Sequence, residues 1–355
     1  MDLWQYLTKT SKHVVMYGMG DGADKILAVC EQYGIVVEDF FASDEFVRGQ
    51  SFHQKRVCTL AELGEKYGYE SMIVLVAFAS ARPEVMANIS RVAALCETYV
   101  PDVPVKGSTL FCSEYEAANR DRIEAACDAL ADERSRQVYR GVLEFRRTGR
   151  LDVLQSTADE PAAVRRELLH PERYVGVVDA GAYDGDTARL WADTCPALRQ
   201  IWAFEPDRRN FRKLEAYAQA ETRTHVRPIR AALWSERTTL RFDDSGNRNA
   251  GVDQQGCARR HVEVSAVALD EALGHERVDF IKYDVEGSER EALLGSARLL
   301  REQKPDLLVS LYHRTEDLHE LILLLKEICP EYRLFVRRYP YIPAWDLNLY
   351  ATVNP

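Results

Sequence analysis

Three short stretches of this sequence carry residues of the types and spacings that chemistry needs. In VVDAGAYDGDT, Val177–Thr187, an apolar run delivers Asp179 to its end. Gly181 and Gly185 follow, and Asp186 and Thr187 open a helical pattern. A buried strand, a turn whose glycines let the backbone pass close to a ligand, and a helix N-terminus with free N–H groups together suit a nucleoside ligand. In WAFEPD, strand Ile201–Phe204 ends in Glu205. A carboxylate at the tip of the second strand can grip a ribose by both hydroxyls. The turn is not the Gly-x-Gly-x-x-Gly that brings backbone up to a pyrophosphate. The looser Asp-x-Gly-x-x-x-Gly suits a nucleoside with an amino-acid tail and no phosphate, which means S-adenosylmethionine. Similar glycine turns also occur in α/β proteins with no ligand there.

The third stretch is FIKYDVEGSE, Phe280–Glu289, with SLYH following at Ser310–His313. Strand alternation puts Phe280, Lys282 and Asp284 on one side. A lysine within a central parallel strand is costly unless paired, and Asp284 is its nearest partner in sequence. Lys282 is therefore either an internal ion pair fixing the strand end or a catalytic residue. Asp284 reaches the carboxyl edge of the sheet, where ligand crevices open. Glu286 and Gly287 follow on the loop. Glu289 begins the next helix, where an acid also suits the helix dipole. His313 arrives at the same edge from the next strand. Asp284, Glu286 and His313 together could bind a divalent cation such as Mg²⁺, or Asp284 or His313 could act as general base. A sulfonium methyl is already activated, so the protein has mainly to align an oxygen with it and remove a proton.

The elements that must position these groups are legible in outline. Strands are expected at Val175–Asp179, Ile201–Phe204, Val226–Leu233, Phe280–Asp284, Leu307–Tyr312, Tyr332–Arg337 and Leu347–Val353, with helix Glu316–Ile328 between the fifth and sixth. The Pro-rich turn Tyr339–Pro343 is too short for a crossover helix, so the last two strands should pair antiparallel. The first hundred residues alternate as well: strand Val14–Tyr17, a Gly18-x-Gly20-x-Gly22 turn and a helix through Cys30, then strand Ile35–Phe41. Helix Leu60–Tyr67, strand Met72–Phe78 and helix Pro83–Cys96 continue the pattern. That is a small Rossmann-like sheet of about three or four strands. A helical stretch from about Glu114 to Arg147 connects the two units, with Ile123, Cys127 and Leu130 on one face and Val138, Val142 and Phe145 on another.

Composition excludes several classes. A formal net charge of −10 over 355 residues argues against a nucleic-acid-binding surface; the pairs Arg146–Arg147 and Arg259–Arg260 are too short to change that. Eight cysteines, Cys30, Cys58, Cys96, Cys112, Cys127, Cys195, Cys257 and Cys329, lack C-x-x-C spacing and read as reduced thiols of a cytoplasmic protein. There is no signal-peptide core and no apolar run long enough to span a membrane.

Taken together, VVDAGAYDGDT, WAFEPD, AALWSE (Ala231–Glu236), VALDEAL (Val267–Leu273), IKYDVEGSE and SLYH resemble the FkbM family of S-adenosylmethionine-dependent methyltransferases, from roughly Tyr174 to Val353. The resemblance implies a class I methyltransferase fold, a parallel sheet with an antiparallel last strand. It also implies O-methylation of a hydroxyl on a saccharide, sugar-bearing metabolite or other natural product. It carries the cofactor set over to Asp179, Gly181, Tyr183, Gly185, Thr187, Glu205, Ala232 and Asp284, with Asp284 beside the transferring methyl. Catalytic candidates are Asp284, His313 and Lys282; metal candidates are Asp284, Glu286 and His313. The common family turn has Asn where this chain has Tyr183, followed by Asp184, which alters the contacts at the methionine end.

YGMGDGADKIL and FASDEFVRGQSF are similar to the leading domain of some FkbM-like proteins, and LADERSR to their connector. The expected division is an N-terminal Rossmann-like domain (1–112), a helical connector (113–172) and a methyltransferase domain (173–355), with a homo-oligomer as an option. Gly18, Gly20 and Gly22 with Asp44 resemble a dinucleotide or nucleotide-sugar fingerprint, or else belong to a degenerate unit used for packing. Two rival readings stay open. One is an inactive nucleotide- or sugar-binding assembly protein on a methyltransferase fold. The other is a dehydrogenase run by the N-terminal unit, against which no Tyr-x-x-x-Lys pair follows its glycine turn.

Overall fold

Two largely parallel sheets organise the chain in a computed structural model that describes residues 1–243 and 261–353. Cys257, Arg259 and Arg260 lie outside the described residues. The first sheet comprises β1 (His13–Tyr17), β2 (Asp39–Phe41), β3 (Ser51–Phe52), β4 (Lys55–Cys58), β5 (Met72–Val76) and β6 (Glu97–Tyr99), in the order β3-β4-β2-β1-β5-β6. All neighbours are parallel except the β3–β4 hairpin. Every residue of β5 is buried, as a parallel strand covered on both faces requires. Helix Asp21–Tyr33 follows β1, Leu60–Tyr67 starts on a Thr59/Glu62 capping box, and Pro83–Leu95 has its proline in the first turn, where the missing N–H costs nothing.

The sheet thus has six strands, where the sequence suggested three or four. The additional ones are two to four residues long, and the hairpin strands expose Ser51, Lys55 and Arg56, which leaves almost no apolar pattern to read. Strand Ile35–Phe41 contracts to Asp39–Phe41. The long helical stretch after it is three helices, Ser113–Ala118, Arg120–Asp128 and Glu133–Thr148, followed by Leu151–Ser156 and Pro161–Leu168. Asp132 starts the longest by accepting a hydrogen bond from Ser135 N. Ile123, Cys127, Leu130, Val138, Val142 and Phe145 are all buried.

The second sheet comprises β7 (Gly176–Ala180), β8 (Gln200–Phe204), β9 (His225–Ile229), β13 (Phe280–Tyr283), β14 (Asp306–Ser310), β15 (Arg333–Arg338) and β16 (Leu347–Thr352), in the order β15-β16-β14-β13-β7-β8-β9. The last strand runs antiparallel to both β14 and β15, as the short turn requires. A three-stranded sheet, β10 (Ala232–Leu233), β12 (His261–Val267) and β11 (Thr238–Asp243), sits beside it. The expected strand Val226–Leu233 is therefore two strands in two sheets. Ala231 N donates to Ile229 O, a tight three-residue turn that redirects the chain.

The halves are fastened together. Ser80 and Ile342 exchange backbone hydrogen bonds of 2.8 and 2.9 Å, and Lys106 N donates to His313 O at 2.8 Å. Buried Arg337 of β15 pairs with Asp132 at 2.6 Å, and buried Arg338 donates to Thr157 Oγ1 and Leu154 O. One apolar core runs from Val15 through Leu130 to Leu349.

Candidate active site

Each carboxylate foreseen at the second sheet's edge arrives from a strand end. Asp179, fully buried in β7, sits level with Lys282 of β13 and Ala203 of β8. Lys282 Nζ stands 3.4 Å from Asp179 Oδ1, 3.5 Å from Asp284 Oδ2, and donates to Gly181 O at 3.3 Å. Asp179 as well as Asp284 is thus its partner, and the lysine holds two strand ends together. Burial pushes the Asp179 carboxyl up to about 6 despite Lys282. Its Oδ2 is buried with no hydrogen-bond partner, an orphan that in native proteins usually points to a ligand or function.

Asp284 Oδ1 accepts from Ser310 Oγ at 2.9 Å and Tyr312 OH at 3.2 Å. Burial opposes its charge, but Lys282 and then His313 outweigh burial and hold the carboxyl below its ordinary range. Glu205 behaves in the opposite way. It accepts from Tyr183 N and Asp207 N at 2.9 and 2.8 Å, yet burial still lifts it to about 7.

His313 is fully buried among acids. Its Nδ1 is 2.9 Å from Glu289 Oε1, at an angle too poor for a hydrogen bond, and its Nε2 is 3.6 Å from Asp284 Oδ1 and Glu286 Oε2. Burial disfavours the charged imidazole, but Glu289, Glu286 and Asp284 overcome this and raise it to about 10. Burial raises Glu286 to about 7 and, with Glu289 adding repulsion, raises buried Asp317 well above its ordinary value. Ligand atoms of Asp284, Glu289 and His313 lie within 4.8 Å of one another. The geometric cluster therefore includes Glu289, which the sequence left divided between helix dipole and function.

Two connected cavities meet at Gly181, Glu205, Asp284 and Glu286. One, of about 430 Å³, is an apolar slot lined by Phe204, Pro206, Ala231, Ala232, Leu233, Phe242 and Val285. The other is an open polar cleft of about 1240 Å³ that adds Tyr183, Asp186, Asp207, Lys282, Tyr312 and Trp345 to its walls. Among the described non-glycine residues with positive φ, Tyr183 (49°), Glu286 (54°) and Asp346 (56°) all line this cleft. Strained backbone gathers at functional sites. The left-handed position of Tyr183 also accounts for the family's Asn, which tolerates it far better.

Ala232 lines the slot; Thr187 and Gly185 line neither cavity. The two glycines also have a packing purpose. A Cβ on Gly181 would lie 1.9 Å from Asp284 O, and one on Gly185 2.6 Å from the Tyr217 ring. Both let the chain approach itself. Sequence reasoning passed over Ser310, Tyr312, Trp345 and Asp346. Tyr312 lay within the quoted SLYH, but nothing in one strand tells which neighbour its hydroxyl meets.

In the N-terminal unit two of the three turn glycines pack against the chain itself, and Gly20 faces open space. A Cβ on Gly18 would meet the Phe78 ring at 2.7 Å, and one on Gly22 would meet Ala77 O at 2.5 Å. The following helix carries Asp21 and Asp24 in its first turn, which repels an anion. Asp44 is exposed on a 3-10 turn after β2, outside the groove at that edge.

A doubly wound sheet with an antiparallel last strand and a carboxylate at the end of each central strand defines a class I methyltransferase-like protein. Residues 179–335 match the family described as the methyltransferase FkbM domain. The C-terminal half of the chain thus carries an FkbM methyltransferase domain, which makes the protein a methyltransferase and implies S-adenosylmethionine as its methyl donor. Its fold is similar to that of methyltransferase FkbM from Methylobacillus flagellatus KT (TM-score 0.74, 19% identity, 96% of this chain and 90% of that one). Weaker likenesses include fibrillarin from Aeropyrum pernix in complex with natively bound S-adenosyl-L-methionine (TM-score 0.35, 17% identity, 54% and 72% covered). Another is precorrin-6y C5,15-methyltransferase from Geobacter metallireducens GS-15 (TM-score 0.33, 12% identity, 54% and 86% covered). No curated protein matches. Among the described residues no helix is long and apolar enough to cross a membrane.

Proposed function

We propose that the protein methylates a hydroxyl of a saccharide or sugar-bearing metabolite, with Asp284 receiving the hydroxyl proton. The observation that carries this reading is the position and charge of Asp284. Its carboxylate stands where the apolar slot meets the polar cleft, and Lys282 and His313 keep it ionised. When bound, the cofactor supplies an activated methyl on a sulfonium.

The residues present suit that cofactor. The slot between Phe204, Leu233 and Phe242 has the apolar walls that a flat base needs. Glu205 has spare lone pairs for ribose hydroxyls beyond the two backbone bonds it accepts. Asp179, Gly181 and Tyr183 would hold the cofactor's amino-acid end, with the unpartnered Asp179 Oδ2 as the acceptor for its ammonium. On the acceptor side, Tyr312 and Trp345 offer ring faces and Asp346 a carboxylate, a combination that fits a sugar ring. A base within reach is what a hydroxyl nucleophile requires. The seven cysteines among the described residues are all free, which supports a reducing compartment, the cytoplasm.

A second reading concerns His313. The unpartnered oxygens of Glu286 and Glu289 and both imidazole nitrogens suit a divalent cation held by Asp284, Glu289 and His313, with Glu286 alongside. Without a cation, the same groups form an imidazolium surrounded by acids that keeps Asp284 charged. Release of S-adenosylhomocysteine from S-adenosylmethionine over a panel of sugars and glycosides tests the main reading. Activity abolished by chelator and restored by Mg²⁺ would favour the cation. Full activity in chelator would favour the imidazolium.

A further inference from the structure

The N-terminal sheet repeats the methyltransferase edge with its charges removed. In both sheets the first strand pairs with the second on one side and with a later strand on the other. Gly18 N donates to Phe41 O as Gly181 N donates to Phe204 O. Ala42 N donates to Cys58 O as Glu205 N donates to Ile229 O, and Ala77 N to Tyr17 O as Asp284 N to Ala180 O. Through this register Asp179 corresponds to Met16, Glu205 to Ala42, Asp284 to Ala77 and Lys282 to Leu75.

The crevice at that edge, between the ends of β1 and β5, is where open α/β sheets bind ligands. Here it is a groove of about 790 Å³ walled by Met19, Ile26, Phe78, Val103, Val105 and Trp345 among others. Its polar groups are few and engaged. Lys25 Nζ pairs with Asp21 at 3.3 Å and donates to Val105 O at 3.1 Å. Val105 and Trp345 line the polar cleft as well, so groove and cleft adjoin. Trp345 has ring contacts with Tyr341 and Tyr312 at 5.8 and 6.2 Å, and the Ser80–Ile342 hydrogen bonds pin its turn to the N-terminal unit.

We infer that this groove binds the uncharged apolar portion of the methyl acceptor, whose hydroxyl lies in the adjoining cleft beside Asp284. The inference rests on the functional reading above and extends it. The acceptor is then a conjugate, with a polar sugar-like end and an apolar end, and the degenerate Rossmann unit is its second half-site.

The test uses the full chain and the uncharged fluorophore N-phenyl-1-naphthylamine. It should bind at one saturable site, with its Kd raised tenfold or more by Met19→Glu, which puts a charge in the groove, and by Ala79→Phe, which fills it. S-Adenosylhomocysteine affinity should stay within twofold in both variants, which also reports that they fold. n-Octyl β-D-glucoside below its micelle concentration should displace the probe, and methyl β-D-glucoside should not. Probe binding unchanged in both variants, displacement by ADP, or equal displacement by the two glucosides would overturn the inference. Failure of S-adenosylhomocysteine to bind wild type would instead overturn the cofactor reading, because the probe reports on the groove independently.

Discussion

The two sheets of this protein share a topology, a glycine turn after the central strand and even equivalent backbone hydrogen bonds, yet only one gathers charge at its open edge. Asp179, Lys282, Asp284 and Glu205 occupy positions that in the N-terminal sheet are Met16, Leu75, Ala77 and Ala42. The difference teaches that backbone architecture supplies a crevice and the strand-end side chains decide its chemistry. It also shows why a glycine turn alone is a weak sign of a ligand. In each sheet at least one turn glycine is needed because the chain closes on itself, with Cβ contacts of 1.9 Å at Gly181 and 2.5 Å at Gly22.

The largest expected effect comes from removing the charge that separates the two edges. Asp284→Asn keeps the shape but loses the base, and turnover should fall by roughly 10²–10⁴ while S-adenosylhomocysteine still binds. Near-wild-type turnover would mean that alignment of the acceptor suffices. Placing a charge on the other edge should act on stability instead. Ala77→Asp buries a carboxylate with no lysine at the equivalent of the Lys282 position, which Leu75 holds, and should destabilise the chain by several kcal/mol. A Tm within a degree or two of wild type would show that the N-terminal edge tolerates charge, and the contrast would fail.

Smaller in size is the pH response of the buried histidine. In the folded protein the His313 pKa lies near 10, above its ordinary 6.5 in the unfolded chain. Its stabilising contribution is therefore complete below about pH 6.5 and is lost as pH rises through about 10. Wild-type Tm should decline over that window. The decline should flatten in His313→Gln, as followed by thermal denaturation at fixed ionic strength. An equal decline in both proteins would leave His313 uncharged. The least effect is expected from Tyr183→Asn. Relief of left-handed strain at φ 49° should stabilise by about 1 kcal/mol, less what is lost with the Lys213 ammonium 5.2 Å from the Tyr183 ring. A lowered Tm would show that the Tyr183 ring contributes more than its backbone costs.

Much of the C-terminal fold was legible because its strands are long apolar runs ending in a single charged residue, as in VVDAG and WAFEP. The pairing of Lys282 with Asp179 was not, because those residues meet only through the β7–β13 register. The small sheet escaped notice although HVEVSAV alternates Val262, Val264 and Ala266 with polar residues, a period-2 signal. Glu289 was ambiguous for a physical reason: an acid in the first turn of a helix satisfies the dipole whether or not it also faces a histidine. The register match between the two sheets could not be seen in sequence at all, since it rests on backbone hydrogen bonds made by residues of different type.

The central claim, that the cofactor binds at the carboxylate-bearing edge and not at its apolar counterpart, is tested most directly by calorimetric titration of S-adenosylhomocysteine into the full chain. One equivalent should bind wild type, with the same affinity in the groove variant Ala79→Phe. Glu205→Ala should bind roughly 10- to 100-fold more weakly, from the loss of charged hydrogen bonds of about 1.5–3 kcal/mol. Unchanged affinity in Glu205→Ala, or its loss in Ala79→Phe, would contradict the account.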